Sequence, residues 1–328
     1  MLSKRQSELL KLIVDNYIKT ARPVGSKTIC DVLDCSSATI RNEMATLEEL
    51  GYIEKMHTSS GRVPSEKGYR YYVDNLMEAK KMTGEDMLKL QAIFHNQSLQ
   101  INDVIIKGME IISEITNYTS VVLGSSAKDN RLKQVEIIPL EKEAIVAIVI
   151  TDKGHVENRK MDIPGVPLED VRKVVALINN LLIGTPINEI SSKLEYEIKP
   201  IIAKYVKQHE ILYNAFYNAF VDFSTKSSIQ LMGKSNFLKQ PEFNTAERMR
   251  EIITKLEDEQ LVKYVSTNEN DIKIYIGSES NLDENITMVK TKYVIGNEEG
   301  TIAIIGPKRM EYDRVVSLLN YIKKNIER

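Results

Sequence analysis

The stretch SSATIRNEMATLEELGYIEKMHTSSGRVPSEKGYR, Ser36 to Arg70, decides how this chain is read. It runs as a short helix, a glycine stop and a polar ribbon rich in Ser, Gly and Arg. Ser36 or Ser37 caps the helix. At 100° per residue Ile40, Met44 and Leu47 fall on one side, with Ala38, Asn42, Ala45 and Glu49 opposite, flanked by Thr39, Arg41 and Thr46. An outer side that is small, polar and cationic suits a DNA groove. Short residues permit close approach, Asn bonds an adenine edge, Arg a guanine edge, and Ala touches a thymine methyl. Candidate base-reading residues are therefore Ala38, Thr39, Arg41, Asn42 and Ala45. Read alone, the same face serves equally well as a solvated surface, so its neighbours have to decide.

Upstream, Ser3 and Gln6 have the spacing of a capping box, and Leu9, Leu10, Ile13, Val14, Tyr17 and Ile18 repeat at helical spacing. Pro23 and Gly25 break the pattern, and Ser26 caps a second short helix with Ile29, Val32 and Leu33 inward. Downstream, Gly51 stops the third helix, Tyr52 to Met56 alternates like a strand, and His57 to Arg62 forms a hairpin tip. Three helices, a strand, a polar tip and a return make a winged helix-turn-helix, whose third helix enters the major groove. Phosphate contacts are expected from Lys4, Arg5, Ser26, Lys27, Ser36, Ser37, His57, Thr58, Ser59, Ser60 and Arg62. A fourth helix from Ser65 packs Tyr69, Tyr72, Val73 and Leu76, leaving Lys67 and Arg70 for phosphate as well.

Bulk charge offers no support. The net charge is −2, and residues 1 to 80 hold 12 Lys+Arg against 11 Asp+Glu, so any electrostatic footprint has to come from placement.

PVGSKT (Pro23 to Thr28), ATIRNEM (Ala38 to Met44), LEELGYIEK (Leu47 to Lys55) and HTSSGRVPSEKGYRYYVD (His57 to Asp74) together resemble the heat-inducible transcription repressor HrcA family. DIKIYIG (Asp271 to Gly277) and IAIIGPKRMEY (Ile302 to Tyr312) resemble its closing signature. Two positions depart from the family pattern, Ser37 in place of its usual Pro and Ala303 in place of a common Gly. The resemblance implies a homodimeric repressor that binds an inverted-repeat operator in double-stranded DNA before chaperonin and heat-shock genes. It also implies assistance from the GroEL chaperonin.

The 328 residues are 42% hydrophobic and 27% charged, a composition able to fill two or three cores. A polar N-terminus and the lack of a long apolar run point to a cytoplasmic protein without a membrane segment. Cys30 and Cys35 stand without nearby His, so neither a disulfide framework nor a metal site is expected. After a linker at Lys80 to Asp86, helical periodicity over Asp86 to Thr116, with a break near His95 to Ser98, leads into four strand signals between Thr119 and Met161. Helices follow at Leu168 to Ile183, Pro186 to Lys193 and Pro200 to Phe223. Strands at Ile229 to Met232, Ile272 to Ile276, Met288 to Ile295 and Thr301 to Ile305, with helices Thr245 to Leu256 and Tyr312 to Ile326, complete the chain.

The expected fold is therefore α+β and multidomain: a winged helix over residues 1–80, then an α+β domain interrupted by a mostly helical insertion. Its parts are set at 86–161 and 238–328, with the insertion at 162–237. The resemblance implies that the α+β part is GAF-like and that the insertion dimerises. Tyr213, Phe216, Tyr217 and Phe220, in a dense aromatic stripe, are the candidate dimer residues. No Walker motif, dinucleotide fingerprint, nucleophile elbow or metal-spaced histidines occur, so no cofactor and no catalysis are expected. The alternative is a winged-helix regulator controlled by a small ligand in the GAF-like domain.

Overall fold

The computed structural model describes residues 2–327 except Asp34, 57–60, 79–81, 95–100, 125–129, 142, 153, 155, 226–228, 259 and 297. Its contacts divide into two units, Met1–Leu123 with Gln230–Arg328, and Gly124–Ile229.

The first unit starts with α1 (Lys4–Thr20), α2 (Ser26–Leu33) and α3 (Ser37–Glu49), then the two-stranded wing β1 (Ile53–Lys55) and β2 (Arg62–Pro64). The Ser3–Gln6 capping box is present, and Gly51 ends the α3 turn at φ 77°. Next, α4 (Glu66–Tyr71) continues into a π-helical turn at Tyr72–Leu76. After α5 (Gly84–Phe94) and α6 (Ile101–Thr116) comes β3 (Thr119–Leu123). The expected helix break falls in 95–100, outside the described residues.

The chain rejoins this unit from β7 (Ile229–Met232) onward, through α11 (Ala246–Glu257), α12 (Leu261–Val265), β8 (Lys273–Ile276), β9 (Ile286–Ile295), β10 (Glu298–Pro307) and α13 (Tyr312–Ile326). A five-stranded sheet has the order β7-β3-β10-β9-β8, with β3, β10, β9 and β8 antiparallel in turn. Alternation along β10 sends Ile302 and Ile304 into a core shared with Met109 and Ile112 of α6 and Leu318 and Leu319 of α13. Ala303, between them, is fully buried on the other side. There Lys290, opposite Ala303, donates to the carbonyls of Tyr264 and Ser266 at the end of α12, and burial pushes its ammonium pKa down.

The second unit holds β4 (Leu132–Glu141), β5 (Ala144–Thr151) and β6 (Val156–Asp162) as a separate antiparallel sheet. Its helices are α7 (Leu168–Leu182), α8 (Ile187–Lys193), α9 (Lys199–Tyr205) and α10 (His209–Thr225). This corrects the expected boundaries. The insertion begins directly after β3, so the three strands expected in the GAF-like part belong to it, while β7 belongs to the first unit. A change from strands to helices near residue 162 marked the wrong edge, because strand composition does not say which strands pair.

The helix expected over Pro200 to Phe223 is two helices, parted where Val206 turns extended at φ −121°, ψ 119°. Tyr213, Phe216 and Phe220, expected at a dimer interface, instead lie in the insertion's own core beside Leu212 and Ile198, with Tyr217 packed against them. Phe216 and Phe220 are 1% and 0% exposed, leaving no surface for a partner. Among the described residues, one apolar face of the sheet is turned away from this core. Ile145, Ala147 and Val149 of β5 point into the core, so by alternation Val146, Ile148 and Ile150 face away, flanked by Ile138 and Val156. Ile138 and Val156 are 50% and 54% exposed.

In the first unit Asp283, ahead of β9, takes hydrogen bonds from Arg248 (2.8 Å) and Lys255 (3.0 Å) of α11 and from the Asn285 backbone N–H (3.0 Å). Burial pushes its carboxyl up, but these donors outweigh burial and hold it below the ordinary Asp value. The resulting stabilisation is complete above the unfolded-state pKa of about 3.9 and is lost as pH falls through the lower folded value. Asp283→Asn is expected to lose roughly 2 kcal/mol at neutral pH and to flatten the acid side of the stability curve. Urea unfolding measured from pH 7 to pH 2 checks both.

Candidate nucleic-acid interface

The N-cap Ser36 hydroxyl accepts from the Thr39 backbone N–H at 3.2 Å and starts α3. Ile40, Met44 and Leu47 bury its inner side against Leu9, Leu10, Ile13 and Val14 of α1. Ala38, Arg41, Asn42 and Ala45 are left exposed along the outer side, with Thr39 half-buried beside them. The Ser26 hydroxyl lies 3.1 Å from that of Ser37 and accepts from Arg41 Nε at 3.4 Å. Arg41 itself is exposed, and this contact engages only its Nε. Gln6 Nε2 donates to Glu43 at 3.1 Å and ties the start of α1 to α3. Lys4, Arg5 and Lys27 are exposed at the starts of α1 and α2.

The cations of β2 and α4 are placed differently from expectation. Arg62 is bonded to Glu48 of α3, Nε and Nη2 each 2.7 Å from Oε2, and its backbone pairs with Val24. It braces the wing against α3. Lys67 donates to the Leu50 carbonyl at 2.8 Å and sits 4.6 Å above the Tyr52 ring, covering the end of α3. Arg70 makes a fork with Asp74 (2.8 and 3.1 Å) and spends Nη1 on the Ile274 carbonyl (2.7 Å) and Glu279 (3.2 Å). These three side chains are occupied within the protein and leave the set of free phosphate contacts. His57, Thr58, Ser59 and Ser60 lie outside the described residues.

Arg70 belongs to a junction that the sequence did not disclose. The Glu66 carboxylate accepts from the backbone N–H (3.2 Å) and hydroxyl of Ser278, just after β8. Gly277 stands at φ 55°, and a Cβ there would come within 2.2 Å of Glu66 Oε2, so the close approach requires glycine. Gly68 is equally constrained, since a Cβ would meet the Tyr52 carbonyl oxygen at 2.0 Å. Tyr69 and Tyr72 pack on Tyr312 of α13, ring centroids 6.0 and 6.4 Å away, and Tyr72 donates to Asp15 at 2.7 Å. Burial, reinforced by Asp15, pushes the Tyr72 phenol up. Thus the stretch Glu66 to Asp74 and the closing stretches near Gly277 and Tyr312 meet in one interface. The available signal was that both ends carried family-like motifs without a local reason for them.

Among the described residues no cluster of His, Cys, Asp or Glu could hold a metal ion, both cysteines are free, and no helix is long and apolar enough to cross a membrane.

Residues 1–76 match the family model for a winged helix-turn-helix transcription repressor, HrcA DNA-binding, and residues 102–316 match that for the HrcA protein C terminal domain. Over 333 residues the chain is 40% identical to the heat-inducible transcription repressor HrcA of Bacillus pumilus strain SAFR-032, spanning 99% of this chain and 97% of that protein. The protein of the same name from Lysinibacillus sphaericus is 41% identical over the same shares. Transcription repressors are a non-enzymatic class. A crystal structure described only as a hypothetical protein at 2.2 Å resolution shares the fold, with a TM-score of 0.67 at 24% identity over 100% of this chain and 98% of that one.

The brace and the exposed face separate by mutation. Arg62→Ala is expected to lower folding stability by about 1–2 kcal/mol, because it strands half-buried Glu48. Arg41→Ala should stay within about 0.5 kcal/mol of the wild type. Chemical denaturation of the two variants tests the distinction.

Proposed function

We propose that this chain, which belongs to the HrcA family of heat-inducible transcription repressors and is a DNA-binding repressor, reads its operator with the outer face of α3. It does so as a homodimer on an inverted repeat. The observation that carries this reading is the exposed row of Ala38, Arg41, Asn42 and Ala45 beside half-buried Thr39. Arg41 offers two outer nitrogens to a guanine edge, Asn42 an amide to adenine, and the two alanines fit thymine methyls. Lys4, Arg5 and Lys27, with Ser26, Ser36 and Ser37, take phosphates and set the register.

Two-fold symmetry of the protein calls for a palindromic site with half-sites about a whole number of helical turns apart. The uncovered sheet face of the insertion, with Val146, Ile148 and Ile150 at its centre, is the part of that unit suited to self-association. Assistance by the GroEL chaperonin and operators before chaperonin and heat-shock genes complete the proposal. A repressor whose active fraction depends on chaperone-assisted folding releases its genes when heat diverts the chaperone, since a change of about 1–2 kcal/mol alters abundance several-fold.

Footprinting on an inverted-repeat operator, with GroEL added or omitted, is the direct test. Arg41→Ala or Asn42→Ala should lose about 1–3 kcal/mol on the operator and little on random duplex. Lys27→Ala should weaken both and reduce the salt slope by about one. Equal losses on both duplexes for Arg41→Ala would remove its base-reading role. Ile148→Glu should sediment as a monomer at concentrations where the wild type is a dimer, and an unchanged dimer would exclude the sheet face.

A further inference from the structure

The first unit contains a hollow of about 420 Å³ where the last turn of α1 meets the loop after β10, walled by Ile18, Lys19, Asn117, Lys239, Arg309 and Glu311. Its size is in the range of small-molecule sites, about 300–1,000 Å³. The wall is held by its own hydrogen bonds. Gln240 Nε2 donates to the Asn117 carbonyl at 3.0 Å, and Asn117 is fixed in the left-handed region at φ 54°. The Tyr118 hydroxyl accepts from the Glu311 backbone N–H at 3.2 Å, and burial pushes that phenol up to about 12, so it stays neutral.

The charges on this wall are unevenly balanced. Arg309 is neutralised by Glu242, donates to Gln240 Oε1 at 2.9 Å, and covers the Ile18 carbonyl at 3.4 Å. Glu311 faces Arg314 at 3.5 Å. Lys239 donates only to neutral oxygens, Oδ1 of Asn117 and of Asn236, at 3.0 Å each. Lys19 is exposed and, like Lys239, has no carboxylate partner among the described residues. Two lysines without carboxylate partners therefore line a concave surface on which Glu311 already has an arginine partner, an arrangement that concentrates anions.

The geometry points to a binding site for a small multivalent anion, a di- or tricarboxylate or a phosphorylated metabolite, held between Lys19 and Lys239. Lys19 lies in the last turn of the winged helix's first helix and Lys239 in the α+β part, so an occupant joins the two. This gives the ligand-controlled alternative a location and a chemistry, and it requires nothing of the DNA-reading face.

The test is isothermal titration of the full chain, without DNA, with citrate and separately with inorganic phosphate, ionic strength being held constant with sodium chloride. At least one probe is expected to bind saturably at one per chain. Lys19→Glu and Lys239→Glu should each weaken that binding at least tenfold, and Lys324→Glu, an exposed lysine elsewhere, should leave it unchanged. Lys239 helps hold the wall, so Lys19→Glu is the cleaner arm. Binding of citrate alone assigns a carboxylate ligand, and binding of phosphate alone a phosphorylated one. Heats that never saturate, or that are the same in all three variants, overturn the site.

Discussion

The seating of α4 on the strand and helix at the far end of the chain is the contact on which the rest of the first unit depends. Glu66 reaches Ser278 only because residue 277 has no side chain, and Arg70 can bond the Ile274 carbonyl only from that position. Tyr69 and Tyr72 then bury against Tyr312, which is itself fully buried. The core of the winged helix and that of the five-stranded sheet consequently form a single cluster, running from Leu9 and Ile40 to Leu319 and Ile326. In many regulators a DNA-binding domain hangs from a linker. Here the winged helix shares one core with the C-terminal sheet.

That arrangement explains why so few of the ribbon's cations remain free. A surface carrying Arg62, Lys67 and Arg70 looks like a phosphate-binding strip when written as a sequence. In three dimensions each cation closes a different gap: wing to α3, α3 end to Tyr52, and α4 to β8. Lys4, Arg5 and Lys27, by contrast, are exposed at the starts of α1 and α2, and Arg41 is exposed on α3. Near-neutral bulk charge over residues 1 to 80 is thus no obstacle to a DNA-facing surface, because much of the acidic and basic content pairs internally.

The parts legible from sequence were those governed by local rules. The α3 periodicity, the Ser3–Gln6 box, the Gly51 stop, β3 and α13 follow from hydrophobic spacing and capping, which act within a few residues. What escaped was non-local. Strands β4 to β6 have ordinary strand composition, and nothing in them says that they pair with one another and not with β3. The aromatic stripe of α10 likewise fits an interface or a core, and only the helices packed around Phe216 and Phe220 decide for the core. Arg62 and Arg70 were misplaced for the same reason, since Glu48 is 14 residues from the first and Glu279 is 209 from the second.

The Gly277–Glu66 approach also bears on the order in which the molecule is made. The winged helix leaves the ribosome first, yet α4 has no seat until the chain has been synthesised past Tyr312. Until then Tyr69 and Tyr72 lack the Tyr312 ring on which they pack in the folded chain. Contacts between such distant parts of a chain form late and slowly, because the entropy of closing the loop precedes any gain from the contact. The seat of α4 is thus completed by a residue 212 positions further along the chain, and a domain that waits for so distant a partner is the kind of incomplete unit that aggregates unless it is shielded.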